Sequence, residues 1–368
     1  QPIGKWSYSI YLWHWPLVVL GVIYEITNWW MYGIALSLLF GFLSYQYIES
    51  LKFSSLSKWS DLVKLKPLWL SFSTALLGVL IFFSNGFQSH YDPRIIIVNN
   101  ESKNKNPYNC MLNEEGIITP LSKCYIGNKD NIQAIIVGDS HADAITTAVT
   151  SIFALKQSGI IAITRTSCPF ILNAKNNRAD DTCYHENFLR LEEIKQNKKI
   201  PLILTARWSA YIYGQSDPKR IIKGDNRPSL YFGNNKYMSQ NELLTEFSKN
   251  LESTLCALTP NAPVYITQPI PEMGQDIPKT MSRNLMQGKE IDLSIQHETY
   301  LQQNSAVRTI IQHAAQVCGA TVLDPTKILC KDDKCIAQHQ GRPIYYDGDH
   351  MSEYGNKLLS PMFKQVLN

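Results

Sequence analysis

The stretch Ala134-Ile135-Ile136-Val137-Gly138-Asp139-Ser140-His141-Ala142 decides the fold. Four apolar residues run into a glycine, the pattern of a short buried strand closed by a turn. From Ala142 the pattern becomes amphipathic over residues 142–156 and predicts a helix. Ser140 therefore stands between a strand's carboxyl end and a helix start. In an open α/β sheet that is where ligands bind. Gly138 permits the tight turn. Two roles for Ser140 fit this position. It is a nucleophile beside backbone N–H groups that stabilise an oxyanion, or it is a helix N-cap, a common job for serine there.

Outward from this stretch, short apolar runs alternate with amphipathic ones. Residues 159–164, 201–206, 263–267 and 320–324 read as further buried strands. Residues 185–195, 240–258 and 297–317 read as helices, and 352–367 as a closing helix. This alternation predicts right-handed βαβ units, an α/β fold in three layers, and a parallel sheet of about five strands. Residues 209–238, rich in Tyr, Gly and Asn, are expected to form a surface excursion that lines a substrate groove. The net charge of +4 is weak and no basic stripe interleaves with aromatics, so no nucleic-acid partner is expected.

A second motif, Tyr346-Asp347-Gly348-Asp349-His350-Met351-Ser352, precedes the closing helix. A serine hydroxyl is a weak nucleophile until a base takes its proton, and that base needs an anion to fix its tautomer. Asp347 lies three residues before His350. A turn there puts both side chains on one side, with Asp347 accepting from Nδ1 while Nε2 faces Ser140. Asp349, adjacent to His350, is expected to project elsewhere. The alternative is an Asp-rich turn capping the last helix through Asp349 or Ser352. Ser140, Asp347 and His350 are thus the candidate nucleophile, orienting carboxylate and base.

Residues 8–24, 29–48 and 67–84 are apolar and close to the ~20 residues that cross ~30 Å of hydrocarbon. Three transmembrane helices are expected, with Trp13, Trp15, Trp29, Trp30 and Trp69 as interfacial aromatics. Lys52, Lys58, Lys64 and Lys66, against Glu49 and Asp61, make the second connection positive. The first carries Glu25 and Asn28 and no basic residue. By the positive-inside rule the chain after Asn85 is extracytoplasmic. All eight cysteines fall in that portion, which predicts disulfides in an oxidising compartment. Pairing of sequence neighbours is expected: Cys110 with Cys124, Cys168 with Cys183, Cys256 with Cys318, Cys330 with Cys335. No CxxC and no well-spaced Cys–His pair occurs, so no metal is expected. The predicted organisation is membrane helices over 1–85, a linker and irregular extension over 86–130, and a catalytic domain over 131–368.

Gly138-Asp139-Ser140-His141 and Asp347-x-x-His350 resemble the first and last sequence blocks of the SGNH hydrolase and acetyltransferase superfamily. The resemblance covers about residues 131–368. It implies that Ser140 is the nucleophile and that Asp347 and His350 are its acid and base. Such domains add a Gly and an Asn as oxyanion donors. Where Gly-x-Asn-Asp would stand, this chain has Thr205-Ala206-Arg207-Trp208. Gly127, Gly159 and the Ser167-Cys168-Pro169 turn supply no replacement. The Ser140 N–H remains, and Arg207 and Trp208 become oxyanion or substrate-binding candidates, with an Arg207 ion pair or stacking on Trp208 as the alternative. Residues 4–16, with Ser7, Tyr8, Ser9 and His14, resemble a late transmembrane segment of the acyltransferase-3 family. Some members of that family continue into an extracytoplasmic SGNH domain. The chain starts at Gln1 without that family's early helices, so it is expected to be the C-terminal portion of a longer transferase or a truncated relative. The two resemblances imply an O-acetyltransferase of a surface polysaccharide such as lipopolysaccharide O-antigen. No bound cofactor is expected. Acetyl-CoA is the implied donor through upstream membrane helices, and the place is the bacterial inner membrane with the catalytic domain in the periplasm. A membrane-tethered acetyl esterase and a non-catalytic glycan-binding module are the alternatives.

Overall fold

The structure, a computed structural model, describes residues 2–24, 26–50, 66–87, 90–111, 121, 123–177, 182–214 and 227–367. Lys52, Lys58, Asp61 and Lys64 of the Lys-rich connection, and Glu25, lie outside the described residues. The chain divides into two compact units.

The first unit, residues 1–96 and 283–289, is built on helices Pro2–Ile23, Trp29–Ser44 and Lys66–Phe83. Gly33, Ser37 and Gly41 recur every fourth residue and are the buried positions of the second helix. Small residues at this spacing let helix backbones approach closely. A Cβ on Gly41 would lie 2.9 Å from the Ile10 backbone. Trp6 on Phe42 and Trp13 on Phe40 flank that seam, with ring centroids 4.9 and 5.2 Å apart. Among the described residues only Trp29–Glu49 is long and apolar enough to cross a bilayer, not the three helices anticipated. Lys5, Ser7, Ser9 and His14 lower the mean hydropathy of Pro2–Ile23, and the apolar part of the third helix, Leu68–Phe83, falls short of the ~20 residues required.

The second unit, residues 97–282 and 290–368, is a three-layer α/β fold. Its first nine strands in chain order are β1 (Cys124–Gly127), β2 (Ile132–Gly138), β3 (Gly159–Thr164), β4 (Ala174–Asn176), β5 (Leu202–Thr205), β6 (Leu230–Phe232), β7 (Val264–Thr267), β8 (Ile295–Gln296) and β9 (Thr321–Leu323), and short two-residue strands follow between Cys330 and Pro343. Six make the central sheet in the order β1-β3-β2-β5-β7-β9. Five run parallel and β1 is antiparallel on the edge. The anticipated sheet lacked β1, because Cys124–Gly127 is too short to show a period. Its place is set by close approach instead. Gly127 pairs with Gly159, where a Cβ would meet the Asn128 carbonyl at 2.4 Å.

Alternation along the strands defines the layers. Ile135, Val137, Ile161, Ile163, Leu202, Leu204, Val264 and Ile266 pack with helices Thr182–Gln196, Gln240–Leu258 and His297–Cys318. The opposite side chains of the strands, Ala134, Ile136, Ile160, Ala162 and Ile203, are also buried, and Tyr265 reaches the Gln365 carbonyl from that face. The long amphipathic run Gln240–Leu258 begins in a Ser239/Glu242 capping box and ends as anticipated.

Two anticipated helices are broken. Residues 142–156 form Ser140–Ala144 and Thr146–Thr150, the first starting at Ser140 itself. Ile145 and its threonine neighbours are β-branched, and the Thr146 hydroxyl bonds back to the Ala142 carbonyl. Residues 352–367 form short helical turns, with Pro361 opening Ser360–Phe363. Of the anticipated excursion, helix Trp208–Tyr213 and β6 are described, β6 pairing with β4, while residues 215–226 lie outside the described residues.

The segment anticipated as a linker contributes to this unit well before residue 131. Buried Glu101 accepts from Arg342 Nε at 2.6 Å, and the Asn104 carbonyl accepts from the Glu353 N–H at 2.8 Å. The four anticipated disulfides are the ones formed: Cys110–Cys124, Cys168–Cys183, Cys256–Cys318 and Cys330–Cys335.

Candidate active site

Ser140 sits at the end of β2, where the chain turns sharply into its helix. A Cβ on Gly138 would lie 1.8 Å from the Thr205 carbonyl oxygen, so only glycine fits between β2 and β5. Asp139 is the N-cap and is buried. One carboxylate oxygen accepts the His141 N–H at 2.8 Å. The other accepts the Arg207 N–H at 2.9 Å and the Tyr211 hydroxyl at 2.6 Å. The carboxylate thus ties the nucleophile turn to the end of β5. The N-cap role weighed for Ser140 belongs to Asp139, which leaves the serine hydroxyl for other work.

On the facing loop, the chain forms a tight hairpin from Tyr345 to Met351. The Asp347 and Gly348 carbonyls accept from the Ile277 and Met273 N–H groups. A Cβ on Gly348 would press on the Gln275 carbonyl at 2.9 Å. One Asp347 oxygen accepts the N–H groups of Asp349 and His350, at 3.0 and 2.8 Å. The other lies 2.8 Å from His350 Nδ1, and His350 Nε2 lies 2.8 Å from Ser140 Oγ. An ionised carboxylate only accepts, so Nδ1 carries the ring proton and Nε2 accepts from the serine hydroxyl. The three residues anticipated from the two motifs therefore form one hydrogen-bonded line. It can take the serine proton as an acyl carbon is attacked and return it to the departing group.

The surroundings tune the base. Burial disfavours the charged imidazole, but the Asp347 hydrogen bond and the charges of Asp349 and Asp347 outweigh it, holding His350 above its ordinary range. The Tyr346 ring stacks on His350 at 5.1 Å and 7°, with Lys105 Nζ 4.8 Å over the tyrosine ring. Burial, then the charges of Asp347 and Asp349, push the Tyr346 phenol up, so it stays protonated.

Asp349 does not project elsewhere. Its Oδ2 lies 3.5 Å from His350 Nδ1, 3.3 Å from His141 Nε2 and 3.0 Å from Arg207 Nε. Burial works against its charge, but the His141 hydrogen bond and the charges of His350 and Arg207 hold the carboxyl well below the usual carboxylate range. Arg207 also forks onto Glu272, at 2.8 and 2.5 Å. Of the readings for Arg207, the structure contains the ion pair, at the edge of the site. Trp208 is buried in the core with its indole N–H on the Thr267 carbonyl at 2.9 Å, so it does not face an oxyanion or a substrate. The Arg207 N–H is committed to Asp139. That leaves the Ser140 N–H, in the first helical turn, as the candidate oxyanion donor.

His141, Asp349 and His350 bring ligand-type atoms within 4.8 Å of one another. Their hydrogen bonds, with the Arg207 guanidinium beside Asp349, account for this clustering. A dication there would be repelled by that guanidinium.

Sequence reasoning missed His141, the true course of Asp349 and the contribution of the preceding extension. Asn106 donates to the Asp143 carbonyl at 2.9 Å and to its carboxylate at 3.1 Å, within the nucleophile helix. His141, next to the nucleophile, and the two-residue spacing of Asp347 and Asp349 carried a readable signal. Asn106 carried none.

A family model described as an SGNH domain fused to AT3 domains matches residues 109–365. The chain belongs to the SGNH family. Its site and family together support an acyl-transferring or ester-hydrolysing enzyme. Among solved structures, this SGNH chain is similar to the periplasmic domain of the Salmonella ser. Paratyphi A lipopolysaccharide acetyltransferase. That match has 19% identity, 65% coverage of this chain, 85% of the other and a TM-score of 0.47. It is also similar to a lipase/acylhydrolase from Enterococcus faecalis, with 11% identity, coverage of 64% and 95%, and a TM-score of 0.31. No curated protein gives a significant match.

Proposed function

We propose that this SGNH chain is an O-acetyltransferase of a cell-surface polysaccharide, lipopolysaccharide O-antigen first, working through an acyl-serine on Ser140. The observation that carries it is the line Asp347–His350–Ser140, with both links at 2.8 Å. His350 Nε2 takes the hydroxyl proton as Oγ bonds to the acyl carbon. The proton then passes to the departing group. A sugar hydroxyl next gives its proton to Nε2 and attacks the ester carbonyl, and the returning proton frees the Ser140 hydroxyl. The Ser140 N–H donates to the oxyanion in both halves.

Transfer over hydrolysis is supported by the family's fusion to AT3 domains and by the apolar helix Trp29–Glu49. In this reading the helix crosses the bacterial inner membrane, and the catalytic unit with its four disulfides faces the periplasm. Acetyl-CoA supplies the acyl group through membrane helices upstream, and no cofactor is held by the SGNH unit itself. An esterase uses the same three residues, with water in place of the sugar.

The test is acetyl release from an activated acetyl ester by the full chain in detergent, with and without O-antigen polysaccharide. Transfer predicts acetylated polysaccharide that depends on Ser140, and Ser140→Ala at background. Rapid hydrolysis indifferent to polysaccharide would establish the esterase instead. Unchanged turnover in Ser140→Ala would remove the serine mechanism.

A further inference from the structure

The imidazole of His350 has two carboxylates on one side, and a Ser-His-Asp line needs one. Asp347 meets Nδ1 at 2.8 Å, and Asp349 stands at 3.5 Å from the same nitrogen. Asp349 is not loose. His141 and Arg207 hold its Oδ2 at 3.3 and 3.0 Å, and Arg207 is itself held by Glu272. His141 is buried, and its ring lies 4.7 Å from that of His350. A carboxylate held this firmly beside a base changes that base's behaviour whether or not it takes a proton.

We propose that Asp349, clamped by Arg207 and His141, is a second positioning carboxylate for His350, setting the pH at which the base becomes available. It rests on the acyl-serine reading above. The groups facing the imidazole are Asp347 and Asp349 from its own loop, with Tyr346 stacked on it and Lys105 over that ring. His141 and Asp143 face it from the nucleophile helix. Arg207 approaches from the end of β5, with Glu272 and Asp139 behind. The two loop carboxylates favour the imidazolium and Arg207 opposes it. Removing the Asp349 charge takes away one attraction and leaves Arg207 less compensated. Both effects lower the pH at which Nε2 becomes free.

The experiment follows Ser140 labelling by a fluorophosphonate against pH, in the full chain in detergent. The probe phosphonylates the serine oxygen and releases fluoride, and Nε2 takes the hydroxyl proton. For Asp349→Asn the midpoint of the rate profile is expected about one unit lower than in the wild type, the shift of one nearby charge. Its plateau should fall no more than about tenfold, since Asp347 still fixes the tautomer. A midpoint unchanged within about 0.2 unit overturns the proposal while leaving the acyl-serine reading intact. Labelling that persists in Ser140→Ala overturns the acyl-serine reading itself. If the Asn variant does not fold, Asp349→Ser, a smaller neutral replacement, gives the same comparison.

Discussion

Replacing Asp347 by Asn separates orientation of the base from its presence. In the native site one carboxylate oxygen accepts two backbone N–H groups and the other accepts Nδ1–H. In the Asn variant the amide oxygen keeps the backbone bonds, at 2.8 and 3.0 Å, and the amide NH2 then faces Nδ1. The ring must turn Nδ1 into an acceptor, so Nε2 carries the proton and no longer accepts from Ser140. A wrong-tautomer base of this kind costs a serine hydrolase about 10⁴ in kcat, or about 5 kcal/mol of barrier. Asp349 at 3.5 Å competes for Nδ1–H and recovers part of that. The single variant is therefore expected to lose about 10²–10⁴ in kcat. Asp347→Asn with Asp349→Asn, which lacks that recovery, should show the full loss of about 10⁴. The assay is steady-state turnover of an activated acetyl ester near neutral pH, with melting curves to show that each variant folds. A single variant keeping more than about a tenth of the wild-type kcat, with Ser140 still required, would refute the tautomer argument.

Because His350 is held above its ordinary range, ester turnover should fall as pH drops through a midpoint above the ~6.5 of a free histidine. The raised value also means that His350 adds stability below its unfolded pKa, lost as pH rises through the folded one, which melting temperatures across pH 6–9 would reveal. Gly138→Ala should destabilise by more than about 4 kcal/mol in urea unfolding, since the new Cβ collides with the Thr205 carbonyl at 1.8 Å. Replacing Cys256 and Cys318 by serine frees a closure of 62 residues and should cost about 4 kcal/mol, against about 2 kcal/mol for Cys330 and Cys335, which are 5 apart. Equal losses in thermal unfolding would count against loop closure as the source of that stability.

Much of the catalytic unit was legible because its strands are apolar on both faces, which makes continuous runs such as 159–164. Its longest helices carry a full amphipathic period with caps. What escaped is local in sequence but decided by distant partners. β1 is a strand because β3 offers an edge, and its four residues have no pattern of their own. Residues 142–156 read as one helix from their apolar spacing, yet the β-branched run at 145–147 divides them. In the site, the triad followed from residue types and spacing. Asp349 departs from expectation because neighbouring side chains in a turn ordinarily diverge, whereas Arg207 and His141 draw this one back. Trp208 became a candidate only because it occupies the place of an absent motif, and packing decides otherwise.

The nucleophile and its base are 210 residues apart in the chain. The sheet that joins them is mostly parallel and depends on long-range closures, an arrangement that assembles slowly. During synthesis Ser140 emerges long before His350 can reach it. An early intermediate holds an ordinary, unreactive serine. Chemical competence therefore waits on the closure that brings His350 back to Ser140, and a chain without it carries only an inert hydroxyl there.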